Sequence, residues 1–279
     1  MYLCHYTTID ALLHMIHTPT KEEHKEVEAN ENESAYGYYL TFHATDAYMM
    51  NDKMEHKLIL EEMSDVIRKY NSKFQYETLS CGKPYIISFC KERDYLPMWQ
   101  IYAKGGNGIC LVFQFENDDL SLLNNLNESN REFSSKDIDI CSCSYESKSS
   151  LQNLKKKWES DIEREYKGGN QNLISSATPF LHLFKDAIKY KSKDWEYEKE
   201  ERLVCWKMYP QIKNGKNGIC SYVEVKIPLL WLKEIIVGPS INQYINTYAI
   251  KEMIRVKGWD KLNNYGVDIK VTESKIALR

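Results

Sequence analysis

The sequence contains no apolar run approaching the roughly 18–20 residues that a bilayer-spanning helix needs, so no membrane partner is expected. Its opening, MYLCHYTTIDALLHMIH, has no basic segment and no small-residue cleavage site. A secretion signal is therefore not expected, and a cytoplasmic location is. Neither sign of charge is in marked excess: the formal net charge is −3, which gives no global attraction to nucleic acid or to an anionic surface. Eight cysteines are present, but only Cys141 and Cys143 lie close together, and C-S-C is too tight for the usual spacing of zinc ligands. Buried, reduced thiols are expected, and no metal. His14 and His17 have a metal-compatible helical spacing but no evident third ligand. H-E-x-x-H, G-x-S-x-G and the kinase motifs are all missing. Gly105, Gly106 and Gly108 do not form G-x-G-x-x-G, and no P-loop Lys-Ser/Thr accompanies them. Internal repeats, low-complexity linkers and composition breaks are absent as well.

What the sequence does have is aromatic mass. Twenty Tyr, eight Phe and six Trp bring aromatics to 12% of the 279 residues, which excludes disorder and simple coiled coils. A chain of this length can bury a core without disulfides or metals. A short strand, residues 2–6, leads into a helix in which Ile9, Leu12, Leu13 and Ile16 follow helical spacing. Thr8 suits its N-cap, and Pro19 ends it. A polar insertion near 20–35 precedes a strand-like segment ending at Phe42, and Met54 to Tyr70 carry a long amphipathic pattern within 53–73. Further strands are expected at 85–90, 109–115 and 138–145, in ERLVCWKM, ICSYVEVKI and KEIIVGP, and in the final VDIKV. Helices are expected at about 150–167, 173–191 and 241–257, the last capped by Ser240 and closed by Gly258. The pattern is that of one α+β domain over 1–279, with a mixed, mostly antiparallel sheet and flanking helices.

Few residues have a chemical reading. His5 lies near the end of an apolar strand, beside a helix start, where a side chain can face a cleft; its bland role is a histidine bonded to backbone or carboxylate. In E-Y-E-K-E-E-R-L-V, 196–204, a two-residue period would put Glu196, Glu198, Glu200 and Arg202 on one face. Neighbouring carboxylates need solvent or a cation such as Arg202 or Lys193. That segment is either a solvated charge run or the source of a glutamate that stabilises a cationic sugar or acts as a base, with Arg202 orienting it or holding a phosphate. Met98, Trp99 and Tyr102 fit a helical turn in ordinary core. N-D-K-M-E at 51–55 reads as a helix cap.

Six motifs in order, CHYTTIDALL, NDKME, SFCKERDYLPMWQIYA, GICLVF, WEYEKEERLV and EIIVGP, resemble the bacterial domain of unknown function 2971 over about residues 2–240. That family has no established reaction. A more distant resemblance, to ADP-ribosyltransferases, rests on the early strand with His-Tyr-Thr, the helix after it and the late Glu-x-Glu beside a strand. It implies an ADP-ribosyltransferase-like fold with NAD as substrate. His5, with Tyr6 and Thr7 beside it, would hold the ribose and nicotinamide amide, and Glu198 or Glu200 would anchor a ribose hydroxyl. A tyrosine among Tyr36, Tyr38 and Tyr39 would stack on the nicotinamide, and Arg202 would complete the binding set. No Ser-Thr-Ser motif is present, and Glu196, Glu198, Glu200 and Glu201 compete for the late carboxylate.

The resemblance implies an enzyme that cleaves the nicotinamide–ribose bond of NAD, either modifying a macromolecular acceptor (protein or nucleic acid) or hydrolysing NAD. A toxin or antiviral-defence role would suit that transferase chemistry. Two rivals stand beside it. One is a non-catalytic sensor of a nucleotide or phage component. The other is an RNA-directed enzyme using His5 and a glutamate, with Lys155–Lys157, Lys189, Lys191 and Lys193 on the phosphates.

Overall fold

Apolar residues on both faces of Tyr2–Thr7 (β1) signal a strand covered on two sides: Leu3 packs into the larger core, and Cys4 and Tyr6 into a smaller one. In this computed structural model, residues 1–17, 38–50, 64–69, 84–116, 119–127, 138–167, 187–206, 209–215 and 218–277 are described. The polar insertion at 20–35, Tyr36 and the 51–55 motif lie outside them. So does most of the expected 53–73 helix, of which 64–68 are helical with Val66 and Ile67 buried.

Thr8 caps α1 (Ile9–Met15) as its side chain suggested, its Oγ1 accepting from the Ala11 amide at 3.0 Å. The strands that follow are β2 (Tyr39–Asp46), β3 (Tyr85–Cys90), β4 (Ile109–Gln114), β5 (Ile138–Ser142), β6 (Ser144–Glu146), β7 (Tyr190–Ser192), β8 (Glu200–Cys205), β9 (Gln211–Gly215), β10 (Gly218–Pro228), β11 (Leu232–Val237) and β12 (Lys270–Glu273). Between them lie α2 (Leu96–Ile101), α3 (Asp119–Leu126), α4 (Lys148–Lys167) and α5 (Gln243–Val256). The expected strand at 138–145 is interrupted at Cys143, whose amide instead donates to the Glu200 carbonyl. Of the helix expected at 173–191, residues 173–186 fall outside the described residues, and Tyr190–Ser192 is strand. Before α5, Asn242 rather than Ser240 stands at the N-cap, because Ser240 is bonded into a turn with Gly238 and Gln243.

The large sheet runs β12-β11-β4-β1-β3-β2-β10-β9, with β8 and then β5 added on the other edge of β3. All its pairs are antiparallel except β11–β12, which α5 connects as a crossover. The fold is thus a single α+β arrangement with a mixed, mostly antiparallel sheet. No described helix is long and apolar enough to cross a membrane.

The sheet forks at β3. One edge of β3 pairs with β8 along its whole length. The other edge is shared: Cys90 meets Cys4 of β1, while Tyr85 and Ile86 meet Asp46 and Thr45 of β2. Between those contacts β1 and β2 splay apart, and the middle of β3 faces the gap. An aromatic core of Phe42, Phe89, Phe113, Phe115 and Trp231 fills the region behind it. On the reverse face α2 lays the fully buried Trp99 against Tyr6, Cys4, Cys90 and Cys110.

The glycine-rich turn after α2 is structural. A Cβ on Gly108 would lie 2.2 Å from the Thr7 carbonyl oxygen, and one on Gly238 2.2 Å from that of Gly106. These glycines let the turn, the end of β1 and the end of β11 approach at backbone distance.

Candidate functional site

His5 sits in the fork. Its neighbours on β1 pair with β4, so the backbone is fixed, and strand alternation turns its ring toward the gap between β1 and β2. There Nδ1 lies 3.0 Å from the carbonyl oxygen of Ser88 in the middle of β3. A carbonyl only accepts, so Nδ1 carries the proton. The ring packs edge-on against Phe42 and Phe89, at centroid distances of 5.1 and 5.8 Å. Burial in this aromatic setting pushes the imidazole pKa below its ordinary value, and the Ser88 bond offsets only part of that shift. His5 is therefore neutral, with the lone pair on Nε2. Among the described residues that atom has no partner, and the ring lines a cleft of about 900 Å³.

The cleft lies over the fork. Met15 and His14 of α1, Thr41 and Phe42 of β2, and the β9–β10 hairpin form its walls, and Ser88 and Tyr102 line it with His5. On the hairpin side Lys213 donates to His43 Nδ1 at 3.0 Å and sits 4.7 Å over the Tyr222 ring. Burial lowers the pKa of both Lys213 and His43, and the lysine charge lowers the histidine further.

Behind Ser88 and Tyr102 is a buried ionic quartet. Lys191, Glu198, Glu200 and Arg202 are each at most 5% exposed. Lys191 bridges Glu198 and Glu200, the latter at 2.9 Å, and Arg202 Nη2 donates to the same Glu200 oxygen at 2.9 Å. Among the described residues two cations meet two carboxylates, a pairing that offsets the cost of burying charge. Burial disfavours the Lys191 ammonium, but Glu200 and Glu198 together outweigh it and raise its pKa. Ser88 Oγ donates to Glu200 Oε1 at 2.5 Å, and the Tyr102 hydroxyl donates to Glu198. Burial and that carboxylate keep the Tyr102 phenol protonated well above the usual range. Cys143, whose thiol points at Glu200 from 3.6 Å, is likewise held neutral by burial and by that charge.

The residues singled out from the sequence thus divide. His5, Glu198, Glu200 and Arg202 share one connected region: Ser88 accepts from His5 through its carbonyl and donates to Glu200 through its hydroxyl. Neither glutamate lines the cleft, and Arg202, fully buried, binds Glu200 and the Ile188 carbonyl. Glu196 is exposed, while Glu201 faces away toward Ser142 and Lys91. Tyr6 points to the reverse face, donating to the Glu92 carbonyl and accepting from the Tyr95 amide, both at 2.9 Å. Thr7 ends β1 opposite Ile109. Tyr38 packs on the larger core, and Tyr39 stacks on His17 with centroids 4.4 Å apart, so neither lines the cleft. The aromatic from β2 that meets His5 is Phe42.

Lys191, Ser88 and Tyr102 had no such role in the sequence reading. Lys191 stood among basic residues suited to phosphates, and its burial removes it from that set. Ser88 and Tyr102 lie within SFCKERDYLPMWQIYA, a segment whose polar residues carry no periodic signal.

A family model described as a protein of unknown function (DUF2971) matches residues 98–203. The match is narrower than the expected 2–240. It takes in Tyr102 and the whole quartet and leaves out His5 and Ser88. No curated protein and no solved structure matches the chain.

Proposed function

We propose that the protein is an ADP-ribosyltransferase-like enzyme that cleaves the nicotinamide–ribose bond of NAD in the forked cleft. The observation that carries this reading is the coupling of His5 to Glu200 through the single residue Ser88, at the floor of a cleft of about 900 Å³. Such a volume suits a ligand of dinucleotide size. In the reaction the C1′–N bond breaks with its electron pair leaving on nicotinamide. The ribose becomes oxocarbenium-like, and an acceptor hydroxyl or water adds at C1′ and loses a proton. His5 Nε2 accepts a hydrogen bond from the sugar or the amide, and the ring faces of the cleft exclude water. Glu198 and Glu200 act as positioning residues through Tyr102 and Ser88. This departs from the family layout, in which the late glutamate bonds the ribose itself.

A second reading has its own support: saturation of both carboxylates by buried cations favours a module that binds a nucleotide without turning it over. Incubation with NAD separates the two. Nicotinamide release that His5→Ala abolishes supports the enzyme, and NAD bound but left intact, with and without candidate protein or nucleic acid acceptors, overturns it. A toxin or defence role follows only from release, and is read as growth arrest on expression that His5→Ala relieves.

A further inference from the structure

We infer that the outward face of α5 is a dimer interface, on which a second copy of this chain docks across a two-fold axis. The inference concerns a different part of the molecule from the cleft and does not depend on what the cleft does.

α5 is held on the sheet by one side only. Thr247, Ile250 and Ile254 are buried beneath it, and Gln243 Nε2 donates to the carbonyls of Val237 and Ser274, each at 3.1 Å. The opposite side carries Tyr244, Ile245 and Tyr248, with Ile241 in the turn before the helix. In that order these four are 79, 64, 63 and 99% exposed. Their spacing, i, i+3, i+4 and i+7, aligns them as one stripe about 100° wide. A surface helix ordinarily turns charged and polar groups to water at such positions. Here no charged side chain occurs from 235 to 250, in a chain of which 28% is charged. Charge returns only beyond the stripe, where Glu252 and Arg255 pair with each other at 2.8 Å.

Area and charge identify the occupant. By the ordinary surface of tyrosine and isoleucine, four residues so exposed present roughly 600 Å², the top of the range for the largest apolar patch on a monomer. Facing its own copy, the stripe buries about 1,200 Å² in total, where the range of stable interfaces begins. Depletion of charge with enrichment in tyrosine is the composition of an interface core. A two-fold axis through a neutral stripe opposes no like charges. Set perpendicular to α5, it runs the two helices antiparallel, with unlike dipole ends adjacent. A bilayer would accept the same stripe, but helices that lie on membranes carry Lys or Arg beside it, and 235–250 have none. The partner must match the stripe with an uncharged apolar surface, and a second copy does so. α5 packs at the β11–β12 end of the sheet, whereas the β9–β10 hairpin that walls the cleft lies at the other, so pairing leaves the cleft open.

Sedimentation velocity on the full chain, across about a hundredfold range of concentration, is the test. The expected result is a species of twice the chain mass that replaces the monomer as concentration rises, with a melting temperature that rises in parallel. Ile245→Asp puts a charge in the middle of the stripe and should weaken the dimer about a hundredfold or more. Tyr248→Ser, which introduces no charge, should weaken it by about tenfold or more. Both positions are exposed, and unchanged circular dichroism establishes that the variants fold. Ile212→Asp, at an exposed isoleucine of β9, should leave the dimer intact. A monomer at every concentration overturns the inference, and so does a dimer that Ile245→Asp leaves unaffected or that Ile212→Asp dissociates equally. Monomeric protein that binds phosphatidylcholine–phosphatidylserine vesicles, and is released from them by the stripe variants, overturns it as well and assigns the face to a lipid surface.

Discussion

Lys191 is the residue on which the buried charges depend. Removing it leaves Glu198 and Glu200 facing each other, and among the described residues the remaining cation of the quartet, Arg202, pairs with Glu200. Lys191→Met is expected to lower stability by about 3–5 kcal/mol, the usual cost of breaking a buried ion pair from one side, and urea unfolding measures it. His5 gives a prediction in pH. An unfolded chain takes up the proton near 6.5, while the folded ring resists it because burial disfavours the imidazolium. Below that pH the unfolded state binds more protons, so stability falls as pH drops through 6.5 and goes on falling until the folded ring also titrates. His43 is depressed in the same direction by burial and Lys213, and contributes to the same slope. His5→Gln should therefore reduce, and not eliminate, the acid-side loss of thermal stability between pH 7 and 5.

At the scale of elements, the glycine turn between α2 and β4 makes a sharp distinction between neighbours. Gly108→Ala puts a methyl group 2.2 Å from a backbone oxygen that cannot move without shifting β1, and should cost about 3 kcal/mol or more in thermal unfolding. Gly105→Ala meets nothing within 4 Å and is disfavoured only by its positive φ of 64°, by about 1–2 kcal/mol. Strands such as β3 and β4 were legible in the sequence because both faces are buried and their apolar runs are bounded by polar turns. The alternation drawn across 196–204 was legible only in part. Lys193–Glu198 forms a 3₁₀ helix, and Lys199 at φ 45° breaks it before β8 begins. Glu200 and Arg202 do share a strand face, but Glu198 reaches the same cluster from a helical turn, by a route no two-residue period describes. The fork could not be read either. It depends on one contact between residues 4 and 90 and two between 45–46 and 85–86, and such distant pairings leave no local pattern. The Ser88 and Tyr102 roles depend on the fork and were hidden with it.

For the molecule as a whole, the segment matched by the family model is not a unit that can stand alone. Within 98–203, β4 loses both of its neighbours, β1 and β11, and β8 loses β3. A fragment of those residues is expected to show neither cooperative unfolding nor resistance to trypsin, whereas the full chain shows both. The same connectivity bears on how the protein is made. β1 lies deep within the sheet, yet Tyr2 and its cross-strand partner Gln114 are 112 residues apart. While the chain emerges from the ribosome, β1 carries two apolar faces and two unpaired backbone edges until β3 and β4 follow, and the cleft over the fork lacks one wall until the β9–β10 hairpin has emerged. Synthesis speed and chaperone supply, more than final stability, should then govern how much of the product reaches a working cleft.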